Sequence, residues 1–144
     1  MQIRYKKLRP DAKAPVYGTE GSAGADLFAC LDEPLDIAPG ATGRVPFGIA
    51  VEIPAGYVGL IFGRSGIALK RNLAPSNKVG VIDSDYRGEL IAALHNHGAE
   101  VSRVEPGERV AQLVVVPCVA ASFIEAEALN ETGRGTGGFG STGR

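Results

Sequence analysis

The sequence has few of the features that define several large classes of protein. Only two of its 144 residues are cysteine, none is tryptophan, and aromatic residues make up 6% of the chain. Cys30 and Cys118 are far apart and lack the Cys-x-x-Cys spacing of a zinc or redox site. Both lie in apolar stretches, so we predict two buried free thiols in a reducing compartment rather than a disulfide.

Long apolar runs and an excess of one charge are also absent. No stretch approaches the roughly 20 apolar residues of a membrane span, and the basic residues 1–10 are not followed by the apolar segment of a secretory signal. Fifteen basic and sixteen acidic residues give a net charge of −1, which does not predict general binding to nucleic acid. We therefore expect a cytoplasmic protein with neither a membrane nor a nucleic acid as partner.

Glycine and proline, by contrast, are abundant, with 20 and 9 residues spread along the whole chain. In a helix interior each glycine costs about 1 kcal/mol and each proline about 3 kcal/mol, whereas short strands joined by tight turns tolerate both. Short apolar stretches bounded by such turns predict one all-β domain, either a sandwich, a jelly roll or a barrel. The predicted strands are residues 25–30, 43–53, 57–62, 79–82, 89–95, 109–117 and, less distinctly from a helix, 121–127.

A short helix is predicted only over residues 65–70, directly after a strand and with Ser65 as its cap. Free backbone N–H groups at a helix start attract anions, and Arg64 beside them adds charge and forked hydrogen-bond donors. This combination suits a phosphate group. An ordinary capped helix with an exposed arginine is the alternative that these residues alone leave open.

Residues 78–90 contain a second candidate site. An apolar run that predicts a buried strand ends at Ile82 and is followed by Asp83 and Asp85. A carboxylate held at the end of a rigid strand is well placed to act as a general base. Two solvated acids in a turn would give the same pattern.

The stretch after residue 130 is too rich in glycine to pack as a strand or helix, and its composition predicts a flexible tail. It contains the pattern Gly-x-Gly-x-x-Gly, but no helix can follow, so the pattern does not predict a dinucleotide site. Arg134, Phe139, Ser141 and Thr142 nevertheless combine phosphate donors with a stacking surface. An idle disordered tail is the alternative.

Other polar residues carry weaker signals. His95 and His97 lie beside a turn, with no third metal ligand at a persuasive spacing, so we expect surface residues. Gln112 and Asp26 by themselves predict only polar groups satisfied within a strand or a turn.

Taken together, these segments resemble the five motifs of the trimeric dUTPase family, in order and with the usual gaps. The match runs from about Pro15 to the end of the sequence, and it departs at Gly63, where many members carry proline. The motifs are residues 22–27 (SAGADL), 63–66 (GRSG), 77–88 (NKVGVIDSDYRG), 107–113 (GERVAQL) and 134–142 (RGTGGFGST).

The resemblance implies a jelly-roll-like β-barrel or sandwich over residues 1–130, with a flexible glycine-rich arm over residues 131–144. It also implies a homotrimer with shared active sites, in which each arm closes over the site of another subunit. The reaction would be the hydrolysis of dUTP to dUMP and pyrophosphate, which limits uracil in DNA and supplies dUMP for thymidylate synthesis.

The same resemblance implies roles for individual residues. Asp83 would be the general base that activates water for attack on the α-phosphorus. Mg²⁺ would be bound chiefly by the triphosphate, with Asp26 contributing through water. Uracil and deoxyribose would be contacted by Asn77, Gly80, Val81, Tyr86 and Phe139. The phosphates would be held by Arg64, Ser65, Gly66, Gln112, Arg134, Gly140, Ser141 and Thr142.

Two other functions share parts of this pattern. dCTP deaminases have the same fold and a similar Gly-Arg-Ser motif, but Ala93 stands where that family carries its proton-transferring glutamate. Some phage dUTPases also bind host regulators, usually through an inserted segment, and no insertion is evident here. We therefore expect a dUTPase rather than a deaminase or a signalling protein.

Overall fold

The computed structural model describes residues 1–139, which form twelve β-strands and one short helix. The prediction of an all-β protein with a single helix is confirmed. The helix, α1, spans Ser65–Arg71. The strands are β1 (Arg4–Lys7), β2 (Val16–Tyr17), β3 (Ala25–Phe28), β4 (Leu35–Ile37), β5 (Thr42–Pro46), β6 (Ile49–Glu52), β7 (Tyr57–Gly63), β8 (Leu73–Pro75), β9 (Gly80–Ile82), β10 (Ile91–Asn96), β11 (Ser102–Val104) and β12 (Arg109–Pro117).

The longest strand, β12, organises the largest sheet. It pairs antiparallel with β3 on one side and β7 on the other, giving the order β2-β3-β12-β7-β9. Two neighbours satisfy the backbone polar groups on both edges of the strand, which allows Val110, Ala111 and Leu113 to be buried. The remaining strands form the sheet β5-β10-β8 and the pairs β1-β6 and β11-β4. Within residues 1–139 the sheets share one core, as in a sandwich, and do not close into a barrel.

Strand β10 illustrates how the core is built. Alternate residues, including Leu94 and Asn96, point inward with the period of two that a half-buried strand requires. Asn96 is polar but satisfied: its Nδ2 donates to the carbonyls of Ile37 at 2.8 Å and Glu100 at 2.7 Å, and its Oδ1 accepts from the Gly98 N–H at 2.9 Å. Full burial of a leucine such as Leu94 contributes about 1.5–3 kcal/mol.

The predicted strand 43–53 is in fact two strands, β5 and β6, because the chain turns at Phe47 and Gly48. Gly48 is buried and has φ of +66°, a conformation that side chains other than glycine rarely adopt. A Cβ at this position would lie 2.8 Å from the Cβ of Ala12 and equally crowd Cys30. A single continuous strand was therefore the wrong prediction here.

The predicted strand 121–127 is also wrong. Residues 118–130 form neither strand nor helix and are exposed, including Phe123 and Ile124. A strand needs a neighbour to accept its backbone hydrogen bonds, and none of the described strands pairs with this segment.

The helix lies where the sequence predicts it, with one further residue at its end. The prediction of Ser65 as the cap was wrong, because Arg64 is the N-cap residue and no side chain caps the helix. The helix ends at Asn72, whose left-handed backbone (φ of 53°) lets its N–H donate to the Ala68 carbonyl at 3.1 Å.

Both cysteines are free, as predicted, but only Cys30 is buried. Cys118 is exposed, so the prediction that its thiol is buried was wrong. It follows β12 directly, where the apolar run leaves the sheet. Among residues 1–139, no helix has the length and apolar character needed to cross a membrane.

Candidate active site

Five predicted site residues meet in one groove of about 260 Å³, which we call the hairpin groove. They are the candidate base Asp83 and four residues expected to contact the nucleoside. The groove is lined by Ile61, Asn77, Gly80, Val81, Ile82, Asp83, Tyr86, Glu89 and Ile91.

The floor of the hairpin groove is made by the pairing of β9 with β7. Gly80 lies opposite Ile61, and a Cβ on Gly80 would approach the Cβ of Ile61 to 3.2 Å, so a side chain at residue 80 would crowd the floor of the groove. The turn before β9 is closed by two backbone hydrogen bonds, from Lys78 to the carbonyl of Pro75 at 2.9 Å and from Val79 to that of Asn77 at 2.8 Å. This turn leads directly into β9, whose residues Gly80, Val81 and Ile82 line the groove.

The turn after β9 places the candidate base. Asp83 follows the strand directly and its carboxylate is exposed. The Tyr86 N–H donates to the Asp83 carbonyl at 3.2 Å, and Arg87 Nη1 donates to the carbonyls of Ser84 at 2.7 Å and Tyr86 at 2.9 Å. Three hydrogen bonds thus fix the turn, which defines the position from which the Asp83 side chain projects.

A second group, the arginine cluster, consists of Asp26, Arg64 and Arg109. Asp26 Oδ1 lies 2.9 Å from Arg64 Nε, and Asp26 Oδ2 lies 3.1 Å from Arg109 Nη1. The Asp26 side chain is only 10% exposed, whereas both arginines reach solvent. Two guanidinium groups on one carboxylate leave a net positive charge, which suits an anion.

Gln112 lies beside the arginine cluster. It is directly opposite Asp26 in the β12–β3 pairing, and opposite side chains of an antiparallel pair share one face. Gly24 leaves room for it, since a Cβ there would lie 3.0 Å from Gln112 Oε1. Ser65 and Gly66 form the exposed first turn of α1, next to Arg64. The predicted phosphate-binding residues of the globular part are therefore gathered at one end of β7 and β12.

Residues 131–139 of the arm do not join either group within one chain. Arg134 Nε donates to the Gly137 carbonyl at 2.7 Å, and Phe139 is fully exposed. Gly140, Ser141 and Thr142 lie outside the described residues. None of residues 131–139 lines the hairpin groove within a single copy of the chain.

The motif residues and their neighbours are matched by known proteins. A model of the dUTPase family matches residues 10–143. This chain belongs to the dUTPase family. A deoxyuridine 5'-triphosphate nucleotidohydrolase of Desulfitobacterium hafniense is 49% identical over 144 residues, covering 99% of this chain and 95% of that protein. The predictions of family and enzyme class are confirmed at this level.

Solved dUTPase structures agree in fold. A dUTPase mutant of Staphylococcus bacteriophage 80alpha with dUpNHpp has a TM-score of 0.91 and 29% identity, covering 99% of both chains. A mutant dUTPase from phage phi11 of S. aureus, described with a structural Mg(II) ion, has a TM-score of 0.78 and 25% identity, covering 89% of this chain and 98% of that one. The prediction of a dUTPase-like β fold is confirmed.

Several residues of this dUTPase site were missed by sequence reasoning. Glu89 lines the groove and Arg109 completes the arginine cluster. Both lie inside or next to motifs, in DYRGEL and GERVAQL, so their position was a signal, but the sequence does not reveal their contacts.

The two histidines, His95 and His97, pack edge to face with ring centroids 4.5 Å apart. Desolvation, and then the charge of His95, lowers the pKa of His97. Neither histidine lines the hairpin groove.

Proposed function

We propose that this chain hydrolyses dUTP to dUMP and pyrophosphate by attack of water on the α-phosphorus. The observation that carries the proposal is the hairpin groove, which brings Asp83 together with Asn77, Gly80, Val81 and Tyr86. A cytoplasmic enzyme of this kind would limit uracil in DNA and supply dUMP for thymidylate synthesis. The two free cysteines are compatible with such a reducing compartment.

Uracil would be read by the hairpin itself. Backbone N–H and carbonyl groups around Gly80 and Val81, with the Asn77 amide, would pair with the polar edge of the base. The glycine at position 80 supports this proposal, because its lack of a side chain leaves the backbone at the groove floor open to a base. A groove fitted closely to uracil would have no space for the 5-methyl group of thymine. Cytosine would present mismatched donors and acceptors, which leaves buried polar groups unpaired and is strongly disfavoured.

Deoxyribose would pack against Tyr86. The phenol ring lies at the groove and its hydroxyl donates to the Glu89 carbonyl at 3.0 Å. A ring held in this way would leave no room for a 2′-hydroxyl, so UTP would be rejected.

Asp83 would act as the general base. Its carboxylate would accept a proton from water while the water oxygen forms a bond to the α-phosphorus, and the bond from that phosphorus to the bridging oxygen of pyrophosphate would break. A general base of this kind contributes about 10²–10⁴ in rate. The exposed carboxylate on a fixed turn supports this role, because it is open to water yet held in position.

The phosphates would be bound by the arginine cluster and the arm. Arg64 would face the phosphates together with Ser65, Gly66 and Gln112, and Asp26 would hold the guanidinium group in orientation. The arm would add the remaining donors and place an aromatic ring on uracil. Those arm residues are Arg134, Phe139, Gly140, Ser141 and Thr142.

Mg²⁺ would be held chiefly by the triphosphate, where it would neutralise phosphate charge. Among residues 1–139, no three His, Cys, Asp or Glu side chains cluster to hold a metal. Asp26 Oδ2 accepts a hydrogen bond from Arg109, Asp26 Oδ1 forms an ion pair with Arg64, and each oxygen retains a free lone pair. That arrangement fits a contact to a water molecule of the ion rather than to the ion itself.

A homotrimer with shared sites would complete the enzyme. Residues 118–129 expose large apolar side chains that pack on nothing within residues 1–139, with Phe123 98% and Ile124 88% exposed. Exposed apolar stretches of this kind mark surfaces that bind another protein. We propose that this segment packs on a neighbouring subunit and carries the arm, residues 131–144, over the active site of another.

The test is to incubate the protein with Mg²⁺ and dUTP, dTTP, dCTP or UTP and to measure pyrophosphate and the nucleotide products. We expect dUMP and pyrophosphate from dUTP and little from the other three. Deamination of dCTP, or equal turnover of dTTP, would contradict the proposal. Light scattering of the same sample gives the mass, and a monomeric active enzyme would contradict the shared site.

A further inference from the structure

Glu89 connects the hairpin groove to a distant part of the sheet. Its carboxylate Oε1 accepts the Gly48 N–H at 2.9 Å, and its backbone carbonyl accepts the Tyr86 hydroxyl at 3.0 Å. One residue therefore holds the bend between β5 and β6 with its side chain and the phenol of the groove with its main chain. The pattern of the sequence predicts neither contact.

The bend at Gly48 is a rigid anchor. Its carbonyl accepts the Leu8 N–H at 2.8 Å, while on either side Phe47 N–H donates to the Leu90 carbonyl at 3.0 Å and Leu90 N–H to the Ile49 carbonyl at 2.8 Å. The N–H of Gly48 is turned away from this ladder and is buried. The Glu89 carboxylate is its acceptor, so loss of the carboxylate would leave a buried donor unpaired.

The Tyr86 ring, by contrast, has few restraints of its own. It is 42% exposed, and its hydroxyl has one hydrogen bond, the one to Glu89. It lies over Gly88, where any Cβ would overlap the phenol oxygen. Gly88 beneath the ring and the Glu89 carbonyl at its hydroxyl are therefore the two contacts that position the phenol.

We propose that Glu89 is a positioning residue that sets the discrimination between deoxyribonucleotides and ribonucleotides. The inference rests on the proposed function, in which Tyr86 excludes the 2′-hydroxyl. The carboxylate ties residue 89 to Gly48, the carbonyl of residue 89 fixes the phenol, and the fixed phenol closes the space beside the sugar. The Leu90 N–H of the same peptide unit remains bonded to the Ile49 carbonyl, so loss of the carboxylate contact removes one of the two restraints on residue 89. The remaining restraint lets the ring shift outward far enough to admit a ribose.

The experiment compares Glu89→Ala, which removes the acceptor, with Glu89→Gln, which keeps an oxygen at the same reach. We expect Glu89→Ala to lower the ratio of kcat/KM for dUTP over UTP about tenfold, chiefly by raising turnover of UTP. Glu89→Gln is expected to restore most of the ratio. Glu33→Ala, an exposed glutamate on another loop, is the matched control and is expected to leave the ratio unchanged.

A double-mutant cycle with Tyr86→Phe distinguishes loss of ring positioning from a general loss of stability. Tyr86→Phe removes the hydroxyl and keeps the ring, so it is expected to lower the ratio as Glu89→Ala does. The double variant is expected to show no further loss, because both changes break the same connection. Additive effects, or an unchanged ratio in Glu89→Ala, would overturn the inference.

Two further measurements keep the result interpretable. If Glu89→Ala fails to fold, as judged by thermal unfolding, an unchanged ratio in Tyr86→Phe overturns the inference. Calorimetry with dUMP and UMP gives the ratio of their dissociation constants, which measures sugar discrimination without catalysis. Absence of dUTP turnover in the unmodified protein contradicts the proposed function alone, and the binding ratio then decides the role of Glu89.

Discussion

The hairpin groove and the C-terminal segment, residues 118–139, are built in opposite ways. The groove is complete in one chain: β9 pairs with β7, and the turn at Asp83 is fixed by three hydrogen bonds. The segment contributes no strand or helix and lies largely exposed. In the proposed function, base and sugar selectivity would therefore belong to a preformed surface. Closure would belong to a segment that becomes ordered on the site, with an entropic cost of about 1–2 kcal/mol per residue.

The largest expected effect is that of a substitution in the hairpin groove, which is the preformed region in this comparison. Asp83→Asn is expected to slow kcat by about 10²–10⁴, because the amide cannot accept the proton from water. The side chain is exposed, so thermal unfolding and dUMP binding should change little. Single-turnover kinetics with dUTP measure the effect, and turnover near that of the unmodified enzyme would remove Asp83 from the mechanism.

Deletion of residues 131–144 tests the contribution of the C-terminal segment. We expect kcat/KM for dUTP to fall about 10²-fold or more, since several phosphate donors are lost together. The ratio of dUTP over dTTP is expected to stay the same, because the groove that reads the base is intact. Steady-state kinetics with both substrates decide the matter. A large loss of selectivity would mean that the arm, and not only the hairpin, reads the base.

A smaller effect is expected in the arginine cluster. Asp26→Asn removes the charge that holds Arg64 and Arg109, and we expect the free energy of unfolding at pH 7 to fall by about 1–3 kcal/mol. The matched control is Asp36→Asn, whose partner Arg103 forms a similar pair on the exposed surface. For the control we expect a clearly smaller loss, because ion pairs open to solvent contribute little. Urea unfolding of both variants gives the comparison, and equal losses would contradict it.

The smallest effect is a dependence on pH. Arg103 donates to both Asp36 oxygens, at 2.7 and 2.9 Å, and lowers the pKa of Asp36. A lowered pKa in the folded state means that the pair stabilises the fold above the unfolded pKa of about 3.9 and loses this contribution as the pH falls through the folded value. The difference in unfolding free energy between Asp36→Asn and the unmodified chain should therefore shrink between pH 6 and pH 2.5. A constant difference would contradict the assignment.

The strands and helix that the sequence predicts best are those with strong local signals. The central strands β7 and β12 are largely apolar, and α1 follows β7 where a helix start was expected. The five strands that were missed, β1, β2, β4, β8 and β11, have two to four residues each. Strands this short are specified by their partners, as β1 is by β6, and not by their own periodicity.

The sequence predicts which residues belong to the candidate site better than it predicts their contacts, although it missed Glu89 and Arg109. The motif resemblance named Asp83, Tyr86 and Arg64, and the structure places the first two in one groove and the third in the arginine cluster. The resemblance did not reveal that Asp26 would have both its oxygens bound by arginines, or that Glu89 would reach Gly48. Such contacts join residues far apart in the chain, and no local pattern encodes them.

The place of β12 in the main sheet has a consequence for how the protein is made. It is the last strand of the described chain, yet it lies between β3 and β7, and its Arg109 meets an aspartate 83 positions earlier. During synthesis, the edges of β3 and β7 that face β12 stay unpaired until residue 117 has left the ribosome. Strand pairings between residues so far apart in sequence form slowly, and the unpaired strand edges are prone to aggregation until then. We expect newly made chains to depend on dilute conditions or chaperones until that strand inserts.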